Sequence, residues 1–128
     1  MRKKVLVVDD SHMIRRIVGK ILKEDGFEVL TAENGRIGLD LARKNRPDLV
    51  IMDVEMPEMN GIDATIMIRS DAATSDIPVL IFTSLGDEKD IRMAKEAGGS
   101  GFLNKPISKE ELRATIFSFL PPDAKLTP

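Results

Sequence analysis

Two adjacent carboxylates end the first apolar run of the chain. The segment "KVLVVDD" places the run "VLVV" directly before Asp9 and Asp10, and a third carboxylate, Asp53, follows the run "LVIM". Neighbouring carboxylates repel each other and resist losing their water, so a cation or open solvent must compensate them. Clustered carboxylates are the ligands that Mg²⁺ prefers, and a carboxylate can also attack phosphorus to form an aspartyl phosphate.

Two further polar side chains follow later apolar runs. Thr83 comes directly after "VLIF", and Lys105 comes shortly after "GFL". A hydroxyl donor and an ammonium beside a divalent cation would hold the oxygens of a phosphoryl group. Each of these side chains taken alone fits ordinary loop chemistry, so their meaning depends on whether the fold brings them to one place.

Five short apolar runs alternate with five amphipathic stretches, which would position these groups. Residues 5–8, 49–52 and 79–82 form continuous, branched runs that are typical of strands buried on both faces of a parallel sheet. Residues 27–32 and 101–103 are weaker strand candidates, nearer the sheet edges. Helices are predicted after Ser11, over residues 36–44 and 62–69, from about residue 87 to the glycines 98–99, and from a capping box at residues 108–111 to about residue 120.

This alternation predicts a (βα)5 domain of the α/β class, a doubly wound parallel sheet with helices on both faces. In such sheets, ligands bind at the carboxyl ends of the strands. The prediction therefore brings Asp9, Asp10, Asp53, Thr83 and Lys105 to one rim of the sheet.

Composition limits the function classes. The chain has 128 residues, 42% hydrophobic and 31% charged, which is typical of one globular domain. A net charge of −2 without a long basic run gives no sign of nucleic-acid binding. The absence of cysteine excludes disulfides and thiolate metal sites. The apolar run near the N-terminus is too short for a signal peptide or membrane span, so we expect a cytoplasmic protein without membrane insertion.

Four segments together resemble the receiver domain of two-component response regulators: "VLVVDD", "LVIMDVEMPEMNG", "VLIFTS" and "GFLNKP". The stretches "SHMIRRIVGKILKEDGF" and "RSDAATSDIPVL" are similar to chemotaxis-type receivers. The resemblance implies a flavodoxin-like sheet of strand order 2-1-3-4-5. It also implies a receiver domain over residues 1–120, with residues 121–128 as a tail or the start of a linker.

The resemblance assigns roles at the acidic rim. Asp53 would be the phospho-acceptor, taking its phosphoryl group from a phosphohistidine of a sensor histidine kinase or phosphotransfer protein. Asp10 would bind Mg²⁺, or Mn²⁺ in its place, directly, and Asp9 would act mainly through a metal-bound water. Asp53 and the backbone carbonyl of Glu55 would complete the protein ligands.

The resemblance also implies a switch. Lys105 and Thr83 would bind phosphoryl oxygens, Thr83 and the aromatic Phe102 would move, and the bond before Pro106 would be cis. The surface of the fourth helix, fifth strand and fifth helix would then change, to control a downstream protein or a second receiver. The chain would catalyse only its own phosphotransfer and dephosphorylation, so we do not expect an enzyme with an external substrate.

Three other functions stay open from the residues alone. A Mg²⁺-dependent phosphohydrolase would pair Asp53 with an acid two residues later, where Glu55 stands, and would turn over small phosphate esters. A flavodoxin-like cofactor binder would need a phosphate loop where Asp9 and Asp10 stand, and would be coloured when purified. An inactive receiver used only for docking would not need the acidic set.

Phe117 is not explained by the family pattern. It lies off the apolar stripe of the last helix, which contains Leu112, Ile116, Phe119 and Leu120. We therefore expect a partly exposed ring. It is either a lone surface residue or a contact on the surface of the fourth helix, fifth strand and fifth helix.

Overall fold

The computed structural model describes residues 2–84, 88–106 and 108–121. Strands and helices alternate along this part of the chain: β1 (Lys4–Val8), α1 (His12–Glu24), β2 (Glu28–Ala32), α2 (Gly35–Asn45), β3 (Leu49–Met52), α3 (Gly61–Ser70), β4 (Val79–Thr83), α4 (Glu88–Ala97), β5 (Gly101–Asn104) and α5 (Lys109–Phe119). The strands pair in parallel in the order β2-β1-β3-β4-β5. The predicted doubly wound fold is thus confirmed.

The strands lie where the apolar runs predict them, with one-residue differences at four ends. Strand β1 begins at Lys4 instead of Val5, and β4 ends at Thr83 instead of Phe82. The prediction that the second strand begins at Phe27 is wrong by one residue, because the backbone N–H of Phe27 donates to Leu22 at the end of α1 instead. The fifth strand extends beyond Leu103, since Asn104 pairs with Thr83 of β4. The extension matters because it carries β5 up to the residue before Lys105.

Helix starts are set by small polar caps. Side-chain oxygens of Ser11, Asn34, Asn60 and Ser108 each accept a hydrogen bond from the backbone N–H three residues later. The predicted starts of α2 and α3 were one residue late, because the two asparagine caps were not recognised in the sequence. The predicted start of α4 at residue 87 lies outside the described residues, as do residues 122–128 of the predicted tail.

Two apolar layers hold the helices on the sheet. Helices α1 and α5 cover one face with β-strand residues such as Val5 and Leu80 beneath them. Helices α2, α3 and α4 cover the other face, above residues such as Leu6 and Ile81. Alternate strand residues point to opposite layers, so the central strands are apolar throughout. None of the described helices is both long enough and apolar enough to cross a membrane.

Phe117 belongs to the first of these layers. Its ring is half-buried against the α1–α5 core, with its centroid 6.2 Å from that of Phe27. The expectation of partial exposure holds. Both interpretations as a surface residue are wrong, because the ring packs toward the end of α1.

Candidate functional site

The ends of two neighbouring central strands form the floor of the site. The backbone N–H of Asp9 donates to Ala32 at 3.0 Å, and that of Asp53 donates to Val8 at 2.9 Å. These hydrogen bonds continue the sheet ladder by one residue beyond β1 and β3. The two carboxylates are therefore held at the same rim, with only 1% of Asp9 and 5% of Asp53 exposed to solvent.

Asp10 completes a cluster of three carboxylates. One oxygen of each of Asp9, Asp10 and Asp53 lies within 4.8 Å of the other two, with Asp10 on the exposed side. Burial raises the pKa of Asp53 to about 6, and the charge of Asp9 adds to the rise, while Lys105 opposes it. The cluster is therefore short of positive charge.

Lys105 reaches into the cluster from the other side. Its Nζ lies 2.7 Å from Asp9 Oδ2 and 3.3 Å from Asp53 Oδ1. Burial alone would lower the pKa of the Lys105 ammonium, but the close contact with Asp9 and the charge of Asp53 outweigh burial and raise it. Its backbone N–H donates to Thr83, and its peptide bond to Pro106 is cis. One ammonium thus serves two buried carboxylates.

Local hydrogen bonds fix the direction of the buried carboxylates. Asp9 Oδ1 accepts from the backbone N–H of Ser11, and Asp53 Oδ1 accepts from that of Val54, both at 2.9 Å. Arg15 Nη1 donates to the carbonyl of Asp9 at 2.6 Å, which ties the first turn of α1 to the end of β1. Arg15 was not predicted as a residue that supports the site.

Two glycines hold the loop after β3 against the site. A Cβ on Gly61 would overlap the carbonyl oxygen of Asp53, and a Cβ on Gly35 would overlap that of Met59. The backbone N–H of Gly61 donates to Val54 at 2.9 Å, and that of Gly35 donates to Met59 at 3.1 Å. Sequence reasoning missed both glycines, although each follows an asparagine cap, "NG", which is a visible signal.

The acidic cluster fits a hard divalent cation. Asp9 Oδ2 is buried and pairs with the Lys105 ammonium at 2.7 Å, but Asp53 shares the same ammonium at 3.3 Å. Three carboxylates beside one ammonium gain by ligating a further cation. The donor set is all oxygen and partly open at Asp10, which suits Mg²⁺ or Mn²⁺. Glu55 lies two residues after Asp53, and its side chain is exposed.

Two further predicted residues, Thr83 and Phe102, lie on β4 and β5. Thr83 ends β4, is 8% exposed, and pairs with Asn104. Phe102 is half-buried on the face covered by α4, and Lys95 Nζ of that helix lies 5.8 Å from the centre of its ring. The fold thus brings Asp9, Asp10, Asp53 and Lys105 into one site. Thr83 lies at the end of β4, where the strand-end pattern predicts it, and Phe102, which the resemblance assigns, lies within β5.

Comparison with known proteins agrees with this architecture. The family model for the response regulator receiver domain matches residues 5–117. PilH of Pseudomonas aeruginosa is 42% identical over 117 residues, which cover 91% of this chain and 97% of PilH. The polar-differentiation response regulator DivK of Brucella anthropi is 32% identical, with 94% of this chain and 98% of DivK covered.

A solved structure gives the same result in three dimensions. The chemotaxis protein CheY4 of Vibrio cholerae superimposes with a TM-score of 0.89 at 36% identity, covering 93% of this chain and 99% of CheY4. The family model extends from the second residue of β1 to the last turn of α5. The chain therefore belongs to the response regulator receiver domain family of two-component signalling.

Proposed function

We propose that this receiver domain is a switch operated by phosphorylation of Asp53, with a histidine kinase or phosphotransfer protein as the donor. The observation that carries the proposal is the contact of one ammonium with two buried carboxylates. Lys105 Nζ lies 2.7 Å from Asp9 Oδ2 and 3.3 Å from Asp53 Oδ1. A phosphoryl group on Asp53 would find this cation already beside its oxygens.

The transfer step follows from the position of Asp53. A carboxylate oxygen of Asp53 attacks phosphorus, the phosphorus–nitrogen bond of the donor phosphohistidine breaks, and its electron pair returns to the imidazole. A pKa of about 6 leaves Asp53 largely ionised, and so nucleophilic, at neutral pH. Lys105 then stabilises charge on the phosphoryl oxygens, and the Thr83 hydroxyl donates to another of them.

Four groups would hold the divalent cation. They are the carboxylates of Asp9, Asp10 and Asp53 together with the backbone carbonyl of Glu55. When bound, Mg²⁺, or Mn²⁺ in its place, supplies the positive charge that offsets the phosphoryl oxygens during transfer. Lys105 would act together with that cation, because both place positive charge beside Asp53, whereas Asp9 would hold the cation in place.

The readout would pass through the ring of Phe102. Phe102 is only half-buried, so its ring has room to move. It pairs in register with Ile81, two residues before Thr83, so a shift of Thr83 occurs close to it. As Thr83 moves toward the phosphoryl group, the ring turns inward and changes the surface of α4, β5 and α5. A downstream protein or a second receiver would bind that surface. The phosphoryl group enters and leaves at Asp53, so no external substrate is turned over.

Intact-protein mass spectrometry tests this proposal. Incubation with Mg²⁺ and a small phosphodonor should add one phosphoryl group to the wild type and none to Asp53→Asn. Asp40→Asn, an exposed carboxylate on α2, is the matched control and should be labelled like the wild type. Full labelling of Asp53→Asn would refute the assignment. Multiple turnover of small phosphate esters would instead favour the phosphohydrolase.

A further inference from the structure

An acidic groove lies next to the loop after β3, on the side of α4 that faces α3. It has a volume of about 450 Å³ between that loop, α3 and α4. Among the described residues that line it, the charged ones are Glu55, Asp63 and Asp90, all acidic. Its apolar lining includes Met56 and Met93, side chains that adapt to differently shaped partners.

The apolar surface continues from the groove along α3. Met93 of α4 is 47% exposed, and Ile66 and Met67 of α3 are 45% and 39% exposed. Ile66 and Met67 stand four residues after Ile62 and Asp63, which line the groove, so they lie one turn further along the same faces of α3. This acidic, apolar surface fits a basic amphipathic helix.

The chain itself presents such a helix. On α1, Met13 is 68% exposed and Ile17 is 50% exposed. Arg16, Lys20 and Lys23 are also exposed, at spacings of three and four residues that place them beside this apolar stripe. Helix α1 is therefore a basic amphipathic surface that matches the acidic groove in charge and in apolar character.

These two surfaces cannot meet within one molecule. Helix α1 covers one face of the sheet, whereas α3 and α4 cover the other. Six large apolar side chains are exposed in the described part of the chain, and five of them belong to these two surfaces. Contact between two copies would cover both sets at once.

We propose that α1 of one copy docks into the acidic groove of a second copy. Because the two surfaces differ, the contact is head-to-tail, and it can repeat from copy to copy. The contact consists of one helix face and one groove, and interfaces that bury little surface are weak. The association should therefore depend on the protein concentration and, because the contact is charged, on the salt concentration. It differs from pairing through α4, β5 and α5, because the groove uses Asp90 and Met93 on the α3 side of α4, whereas Lys95 of that helix lies over Phe102 of β5.

Sedimentation velocity on the unphosphorylated chain tests the proposal with two charge reversals. Lys20→Glu disables the helix, and Asp63→Lys disables the groove. The wild type should gain mass as its concentration rises to about 1 mM at low salt. Each variant alone should lose at least tenfold in association constant. An equimolar mixture should associate again, because each variant keeps the one surface that the other lacks.

Matched controls and a second variant make the result decisive. Lys44→Glu and Asp40→Lys make the same charge changes at exposed sites on α2 and should associate like the wild type. Met93→Lys blocks the groove from an exposed position if Asp63→Lys does not fold. A monomeric wild type, a mixture that stays monomeric, or controls that weaken equally would each overturn the proposal. Asp53 phosphorylation plays no part in this measurement, so its outcome is independent of the proposed function.

Discussion

Replacing Asp53 by asparagine should stabilise the protein above pH 6 when no divalent cation is bound. Asp53 is 5% exposed, and its pKa rises from 3.8 to about 6, chiefly because of burial and secondly because of the charge of Asp9. The ionised side chain therefore destabilises the fold, although phosphorylation would require it. Asparagine has nearly the same shape and carries no charge.

The sign follows from proton binding. The folded chain holds the Asp53 proton more tightly than the unfolded chain does, so its stability falls as the pH rises. Near pH 4 the folded state is protonated and the unfolded state is about half protonated, so the variant should nearly match the wild type. Between pH 4 and 6 the unfolded state loses its proton first. Two pKa units correspond to about 3 kcal/mol, and solvent screening at the rim reduces this to roughly 1–3 kcal/mol.

Urea unfolding from pH 4 to pH 8 in the presence of a chelator measures this effect. We expect the free energy of unfolding of Asp53→Asn to exceed that of the wild type by roughly 1–3 kcal/mol at pH 7.5, with unchanged urea dependence. The excess should shrink to a small fraction of this value near pH 4. Asp40→Asn, on the exposed side of α2, is the control and should follow the wild type.

Two results would refute the reasoning. An asparagine variant that is no more stable at pH 7.5 would show that the buried charge is fully compensated. An excess that persists unchanged at pH 4 would show that the gain is not electrostatic. Excess Mg²⁺ gives a further check, because a ligand that binds only the folded state should raise the stability of the wild type more than that of the variant.

Three further predictions concern the metal, the loop and the core. Asp10→Ala should weaken Mg²⁺ binding in calorimetry at least tenfold, and unchanged affinity would show that Asp10 is not a ligand. Gly61→Ala should lower the free energy of unfolding by about 2–4 kcal/mol, because the added Cβ would overlap the Asp53 carbonyl; a neutral result in urea unfolding would show that the loop yields. Phe117→Ala should cost about 1–3 kcal/mol through the lost contact with Phe27, while leaving Asp53 labelling intact. If Phe117→Ala is as stable as the wild type, the ring of Phe117 does not contribute to the core.

The sheet and its rim could be predicted because they depend on local patterns. A continuous run such as "VLVV" is apolar on both faces, and only a central parallel strand buries both. Once the strands are parallel, their carboxyl ends share one edge, and Asp9 and Asp53 must lie near each other. That step needs no knowledge of side-chain packing.

The contacts between distant parts of the chain could not be predicted in this way. The reach of Lys105 to both Asp9 and Asp53 depends on how far β5 extends beyond Leu103, which the sequence prediction placed one residue short. The contact of Phe117 was not predicted, because helical periodicity indicates the direction of a side chain but not the residue against which it packs. Its neighbour, Phe27, had been assigned to a strand.

The support around the site was missed for a different reason. Gly61 and Gly35 look like ordinary residues after a helix cap, and only the folded loop shows that they pack against backbone carbonyls. Arg15 appears in the sequence as one more cation of a basic helix. Its hydrogen bond to the Asp9 carbonyl depends on the angle at which α1 leaves β1.

Locating the phosphoryl group tests the central claim most directly. The protein should be phosphorylated with Mg²⁺ and a small phosphodonor, then reduced with borohydride, which converts an aspartyl phosphate into homoserine. Peptide mass spectrometry then identifies the modified position. We predict homoserine at position 53 alone, and none when Mg²⁺ is replaced by a chelator. Homoserine at position 9 or 10 instead, or labelling that does not need the cation, would contradict the account.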